Sequence, residues 1–171
     1  MYSAKIFLTL SCLTMSFVAS ASIAPPIVVP MYATAQSGVG ESVGSVEISE
    51  TAEGLLFTPH LHGLSPGAHG FHVHEFASCA DDGMKAGGHL DPLKTGKHLG
   101  PDNNLGHLGD LPLLMVKSDG TASTPVLAKR LKVFSDIDKR SLMIHEGGDN
   151  YSDKPTKLGG GGGRMVCGVI P

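Results

Sequence analysis

Residues His69–Glu75 read HGFHVHE: three histidines within seven positions, in a run where Phe71 and Val73 alternate as apolar residues do in a β-strand. Residues two apart on a strand face the same way, so His72 and His74 direct two imidazoles to one side while Phe71 and Val73 point to the other. A half-buried strand ordinarily carries Val or Thr at such positions. Two titratable rings there need partners from elsewhere in the chain.

The surrounding sequence is a succession of short strands. GSVEISE (44–50), the turn TAEG and LLFTPHLHGL (55–64) read as a hairpin, preceded by a candidate strand near Ile27–Thr34. Further candidates are AHGFHVHEF, the segment 111–134 with SDG as its turn, RSLMIHE (140–146) and RMVCGVI (164–170). No helical period persists over ten residues, and Gly (23) and Pro (11) are abundant. The expected fold is all-β: an eight-stranded antiparallel Greek-key barrel or sandwich with long loops. Residues 75–110 are too long and too rich in Gly, Pro, Asp and Asn for an ordinary connection, and loops of that length commonly bind something.

At the N-terminus, Lys5, the apolar stretch IFLTLSCLTMSFV (6–18) and Ala19-Ser20-Ala21 have the pattern of a cleavable secretory signal. Thirteen residues cannot cross ~30 Å of hydrocarbon, so no stable membrane association is expected. A lipoprotein site at Cys12 is disfavoured, because Thr9 stands where Leu would be wanted. The expected organisation is a signal over 1–21 and one exported domain over 22–171. Removal of the signal leaves Cys79 and Cys167, for which a single pairing exists. Joined, they would close a loop worth on the order of 4 kcal/mol; the alternative is two buried thiols, which an oxidising compartment disfavours. The whole chain carries a net charge of −3 with no basic stripe, which argues against nucleic acid as a partner.

The long loop supplies what the strand lacks. His89, His98 and His107 recur at intervals of nine, Asp110 follows, and His145 ends a later strand candidate. One such histidine alone would be unremarkable, but this many in one spaced set point to metal. Imidazole suits zinc and copper; three nitrogens and a carboxylate close a tetrahedral zinc site, and four imidazoles fit tetragonal copper(II). His60 and His62 also form an H-x-H pair but lack a glycine-rich loop or carboxylate beside them, and are read as surface residues.

GAHGFHVHEF, GGHLDP, KHLGP, GHLGDLP, IHEGGDNYSDKP and GGGGRMVCGVI together resemble the Cu,Zn superoxide dismutase family in its bacterial exported form, from about Ile27 to Pro171. The resemblance implies one copper held by His72, His74, His89 and His145, and one zinc held by His89, His98, His107 and Asp110, with His89 shared as an imidazolate. It implies that Asp149 links the rings of His72 and His98, that His69 is buried and structural, that Arg164 guides the substrate, and that Cys79 pairs with Cys167. The implied reaction is dismutation of superoxide to dioxygen and hydrogen peroxide, with His89 serving as bridge and proton carrier. Bacterial members occur as monomers or homodimers. The five glycines before Arg164 are not followed by Lys-Ser/Thr and so do not form a phosphate loop; they are expected to let backbone pass close to the site. Two rival readings are a non-enzymatic periplasmic copper or zinc carrier, which needs neither a shared ring nor Arg164, and a zinc hydrolase, which needs an open zinc position.

Overall fold

The computed structural model describes residues 24–171; the segment read as a signal lies outside them. Nine strands form among these residues, every pair antiparallel: β1 (Ile27–Ala33), β2 (Ser42–Glu50), β3 (Leu55–Leu61), β4 (Gly67–His69), β5 (Phe71–His74), β6 (Leu114–Val116), β7 (Val126–Ala128), β8 (Ser141–His145) and β9 (Arg164–Val169). Seven make one curled sheet in the order β5-β8-β9-β1-β2-β3-β7, and β4 with β6 makes a small second sheet. The meander β1-β2-β3, with β9 returning beside β1, is a Greek-key arrangement. No α-helix occurs among the described residues, nor any helix long and apolar enough to cross a membrane.

The expected hairpin is β2-β3, in register from Gly44 opposite Leu61 to Glu50 opposite Leu55, and closed by Thr51, whose hydroxyl donates to the Gly54 carbonyl at 2.7 Å. Alternation along these strands sends Val46, Ile48, Leu55 and Phe57 inward. There they meet Val29, Phe71, Leu142, Ile144 and Val166, with the Phe57 and Phe71 rings edge to face at 5.8 Å. Such a core, drawn from one face of every strand except β4, is the main stabilising term of the fold.

Two expectations differ from what forms. The run AHGFHVHEF reads as one strand but breaks at Gly70 into β4 and β5, which belong to different sheets; this division makes nine strands where eight were expected. Gly70 lies at the corner, donating to Gly147 and accepting from His145, and a Cβ there would stand 3.1 Å from the His72 ring. The SDG segment does turn, with Lys117 and Thr121 hydrogen-bonded at 2.8 Å. Its flanking strands do not pair with each other: β6 joins β4 and β7 joins β3.

Cys79 and Cys167 form a disulfide spanning 88 positions, and with Met143 and Ala86 they make a second small buried cluster outside the main core. The bond ties the start of the long loop to β9. Reducing it should lower the unfolding free energy by about 4 kcal/mol, read from denaturation midpoints with and without reductant; unchanged midpoints would contradict this anchoring role.

Candidate metal centre

All four residues of β5 are buried, which answers the question that HGFHVHE poses. Phe71 and Val73 enter the core, while the long loop folds back over His72 and His74: Asp110 bridges to His72, and His89 to His74, in single antiparallel β-bridges. The backbone of Val73 exchanges hydrogen bonds with Gly109 and Leu90 of the loop at 2.9 and 2.8 Å. β8 brings His145 alongside, and the adjoining β9 brings Arg164 opposite His145.

Two groups of ligand atoms converge. His72, His74, His89 and His145 form one; His72, His89, His98 and Asp110 form the other, all atoms within a group lying within 4.8 Å of one another. His72 and His89 belong to both groups, and their rings stack at 3.9 Å, so the two sites are contiguous. His107 stands beside the second group, its Nδ1 3.5 Å from Asp110 Oδ1. Six ring nitrogens here are buried without any hydrogen bond: Nδ1 of His72, His98 and His107, and Nε2 of His74, His89 and His145. His98 Nδ1 lies 3.0 Å from Asp110 Oδ2 outside hydrogen-bond geometry, as expected of two groups facing a common point. A neutral imidazole nitrogen with a free lone pair is a donor to a cation, and the set fits metal ions.

The opposite nitrogens are committed. His72 Nε2 and His98 Nε2 meet the two oxygens of Asp149 at 2.8 and 2.7 Å, so one carboxylate orients a ring from each group. His74 Nδ1 donates to the Gly87 carbonyl at 3.0 Å and His145 Nδ1 to that of Gly162 at 3.3 Å. These contacts set the tautomer and leave the other nitrogen facing the cluster. His69 is buried and spans the carbonyls of His145 and Ser65, each at 2.8 Å, without facing either group. His60 and His62 are exposed.

Glycine is required where the last loop crosses the site. A Cβ on Gly159 would lie 1.9 Å from Asp149 Oδ1, and one on Gly161 3.2 Å from His145 Cβ. Arg164 is half-buried and donates to the carbonyls of Gly83 and Gly87 at 2.5 and 2.6 Å; Gly87 is the same residue that orients His74. Three contributors went unnoticed in the sequence. Glu75 accepts from Gly88 N, Asp153 accepts from the His98 backbone at 3.0 Å, and Arg130 grips two carbonyls of the long loop. Asp153 sits within the quoted IHEGGDNYSDKP motif; no spacing or composition signal marks Arg130.

A family model described as Copper/zinc superoxide dismutase (SODC) matches residues 42–170. The chain is 58% identical over 153 residues to Superoxide dismutase 1 (Cu-Zn) of Salmonella typhimurium, covering 84% of this chain and 86% of that protein. The structure of the Cu/Zn superoxide dismutase from Brucella abortus superposes with a TM-score of 0.81 at 50% identity, over 86% of this chain and all of that one. The solution structure of the monomeric copper, zinc superoxide dismutase from Salmonella enterica does so at 0.76 and 53% identity, with 86% and 100% coverage. An all-β half-barrel with buried, convergent histidines defines a metalloprotein, and these matches define which: the chain belongs to the copper/zinc superoxide dismutase family. Its histidine clusters form copper and zinc sites, its activity is superoxide dismutation, and superoxide is its substrate.

Without metal, the cluster has a definite response to acid. Burial, reinforced by the neighbouring His89, pushes His72 down to about 3 and His145 to about 4, and lowers His74 as well. Burial opposes charge on His98 too, but Asp110 and Asp149 outweigh it and raise that ring to about 9. Burial disfavours the ionised form of Asp110, yet the three rings that face it, His107, His89 and His98, with His89 hydrogen-bonded at 2.9 Å, hold it far below the usual carboxylate range. His72 and His145 therefore stay neutral in the fold while the unfolded chain binds protons below about 6.5, so their contribution is present above that pH and is lost on acidification toward 4. The metal-free protein should lose on the order of 1 kcal/mol per pH unit for each such ring. Urea midpoints at pH 7.5 and 4.5 check this, and equal midpoints would contradict it.

Proposed function

We propose that His72 Nδ1, His74 Nε2, His89 Nε2 and His145 Nε2 hold copper, and that His89 Nδ1, His98 Nδ1, His107 Nδ1 and Asp110 hold zinc. The observation that carries this division is the commitment of the second ring nitrogens. His72 lies in both groups, but its Nε2 is occupied by Asp149, leaving Nδ1 alone to face the cluster. His89 turns Nδ1 toward Asp110 at 2.9 Å and leaves Nε2 free toward the copper group, so it is the ring with a nitrogen for each ion. His107 completes the zinc set through its buried Nδ1 beside Asp110.

When bound, copper supplies one-electron exchange with superoxide in alternating directions, while zinc has no redox chemistry and serves structure. The chain supplies the rest. His89 Nε2 would hold copper or, when released from it, carry a proton in its place, while Nδ1 remains turned to Asp110. Asp149 keeps His72 and His98 in their tautomers. Arg164 places a cation beside His74 and His145 and attracts the anion against the net negative charge of the chain. The loop that holds Arg164 is tied down by the disulfide, so the position of that charge depends on Cys79–Cys167.

The leader pattern over 1–21 and the disulfide support export of a domain spanning 22–171, with periplasmic protection against superoxide arising outside the cytoplasm. Both ligand groups are built within one chain, so the chemistry does not require a homodimer, and the Salmonella enterica relative is described as monomeric. A carrier has no need of the guanidinium of Arg164 or of contiguous sites.

Elemental analysis should give one copper and one zinc per chain. His145→Ala should lower copper occupancy and superoxide removal by more than about tenfold while zinc remains; full activity in that variant would refute its place among the copper ligands. Arg164→Ala should retain both metals, slow the reaction about tenfold and flatten its dependence on ionic strength. A salt dependence equal to that of the parent protein would remove Arg164 from the steering role.

A further inference from the structure

Of the six histidines in the centre, five are oriented through a ring nitrogen. His72, His74, His98 and His145 each have one nitrogen held by a carboxylate or carbonyl, and His89 faces a group with each of its two. His107 is the exception: its Nδ1 is buried without a hydrogen bond, 3.5 Å from Asp110 Oδ1, and no carboxylate or carbonyl among the described residues holds its Nε2 as hydrogen-bonded partners hold the other rings. Metal-bound imidazoles nearly always depend on a second partner for their orientation. For His107 that constraint has to come from the backbone.

The backbone around His107 is gripped on every side. Its N–H donates to the Lys97 carbonyl at 2.9 Å. Its own carbonyl accepts from Arg130 Nη1 at 2.8 Å, and the Gly106 carbonyl accepts from Arg130 Nη2 at 3.0 Å. Gly106 runs so close to Leu99 that a Cβ would stand 2.8 Å from the Leu99 Cβ. Arg130 is itself fixed, lying just after β7 and before Leu131, which is fully buried and accepts from Leu55 N at 2.9 Å. A planar guanidinium donating to two successive carbonyls sets both position and tilt of the peptide between them, a geometry a single ammonium cannot reproduce.

We propose that Arg130 is a positioning residue for zinc, acting through the His107 backbone in place of the ring hydrogen bond that His107 lacks. Through it the sheet edge at β7 holds the long loop at Gly106 and His107, apart from the point at His98 that Asp149 holds. The inference rests on the assignment of His107 as a zinc ligand, and the test separates the two.

The full-length mature protein is prepared as Arg130→Met, Arg130→Lys and His107→Ala, and zinc and copper affinities are measured by chelator competition. The visible absorption of cobalt(II) loaded in the zinc position is recorded alongside. Arg130→Met should weaken zinc about 10- to 100-fold, leave copper affinity within about twofold, and alter the cobalt bands; Arg130→Lys should fall between. Zinc affinity and cobalt bands in Arg130→Met equal to the parent, with His107→Ala weakened, would overturn the role of Arg130. An undiminished zinc affinity in His107→Ala would instead overturn the ligand assignment. Equal losses of zinc and copper would show general support of the fold and also overturn the proposal. If Arg130→Met does not fold, Arg130→Lys decides by the same ratio.

Discussion

Six buried imidazole nitrogens without hydrogen-bond partners are the constraint on which the rest of this structure depends. Each such group costs about 1–3 kcal/mol when left unsatisfied, so the set approaches the whole of an ordinary domain's stability of about 5–15 kcal/mol. The fold brings these nitrogens together by strong local means: the H-x-H of β5, the loop that bridges back onto it, and β8 beside it. Among the described residues nothing faces them with opposite charge except Asp110, which is shared among three rings. Cations are the remaining partners that satisfy lone pairs converging at these distances. The chain is thus a receptor for metal, held in a geometry that costs stability until metal arrives.

The scaffold divides its labour accordingly. The curled sheet buries an apolar face that owes nothing to metal, whereas the loop that carries His89, His98 and Asp110 has little core of its own. It is fixed at a few points: the disulfide at one end, Val73 paired with Gly109 and Leu90 in the middle, Asp149 and Asp153 against His98, and Arg130 at Gly106 and His107. Asp149 is the most economical of these contacts, because a single carboxylate sets a ring in each group. Acidic residues held far below the usual carboxylate range, as Asp110 and Asp149 are, stay charged through any pH at which the centre could work.

Much of this was legible in the sequence, for identifiable reasons. Strand alternation places His72 and His74 on one face by itself, and the hairpin β2-β3 follows from alternation on both sides of a four-residue turn. The long loop announced itself by length and composition. What stayed hidden depends on contacts between distant positions. The break at Gly70 is a corner between two sheets, and nothing in GAHGFHVHEF distinguishes a glycine that bends a strand from one that lies within it. The partners of β6 and β7 are chosen by contacts with distant strands, β4 and β3, rather than by the turn between them. Arg130 sits among ordinary basic residues, and only the folded chain brings it to the carbonyls of Gly106 and His107, more than twenty positions away.

The proposed chemistry depends on one imidazole, His89, being common to a redox ion and a static one. Protein loaded with copper(II) in the first site and cobalt(II) in the second tests it, because two paramagnetic ions joined by one deprotonated ring exchange-couple through it. The copper resonance seen by electron paramagnetic resonance in the copper–zinc protein should be lost in the copper–cobalt protein. A copper resonance of full intensity, with both ions shown to be bound, would contradict it.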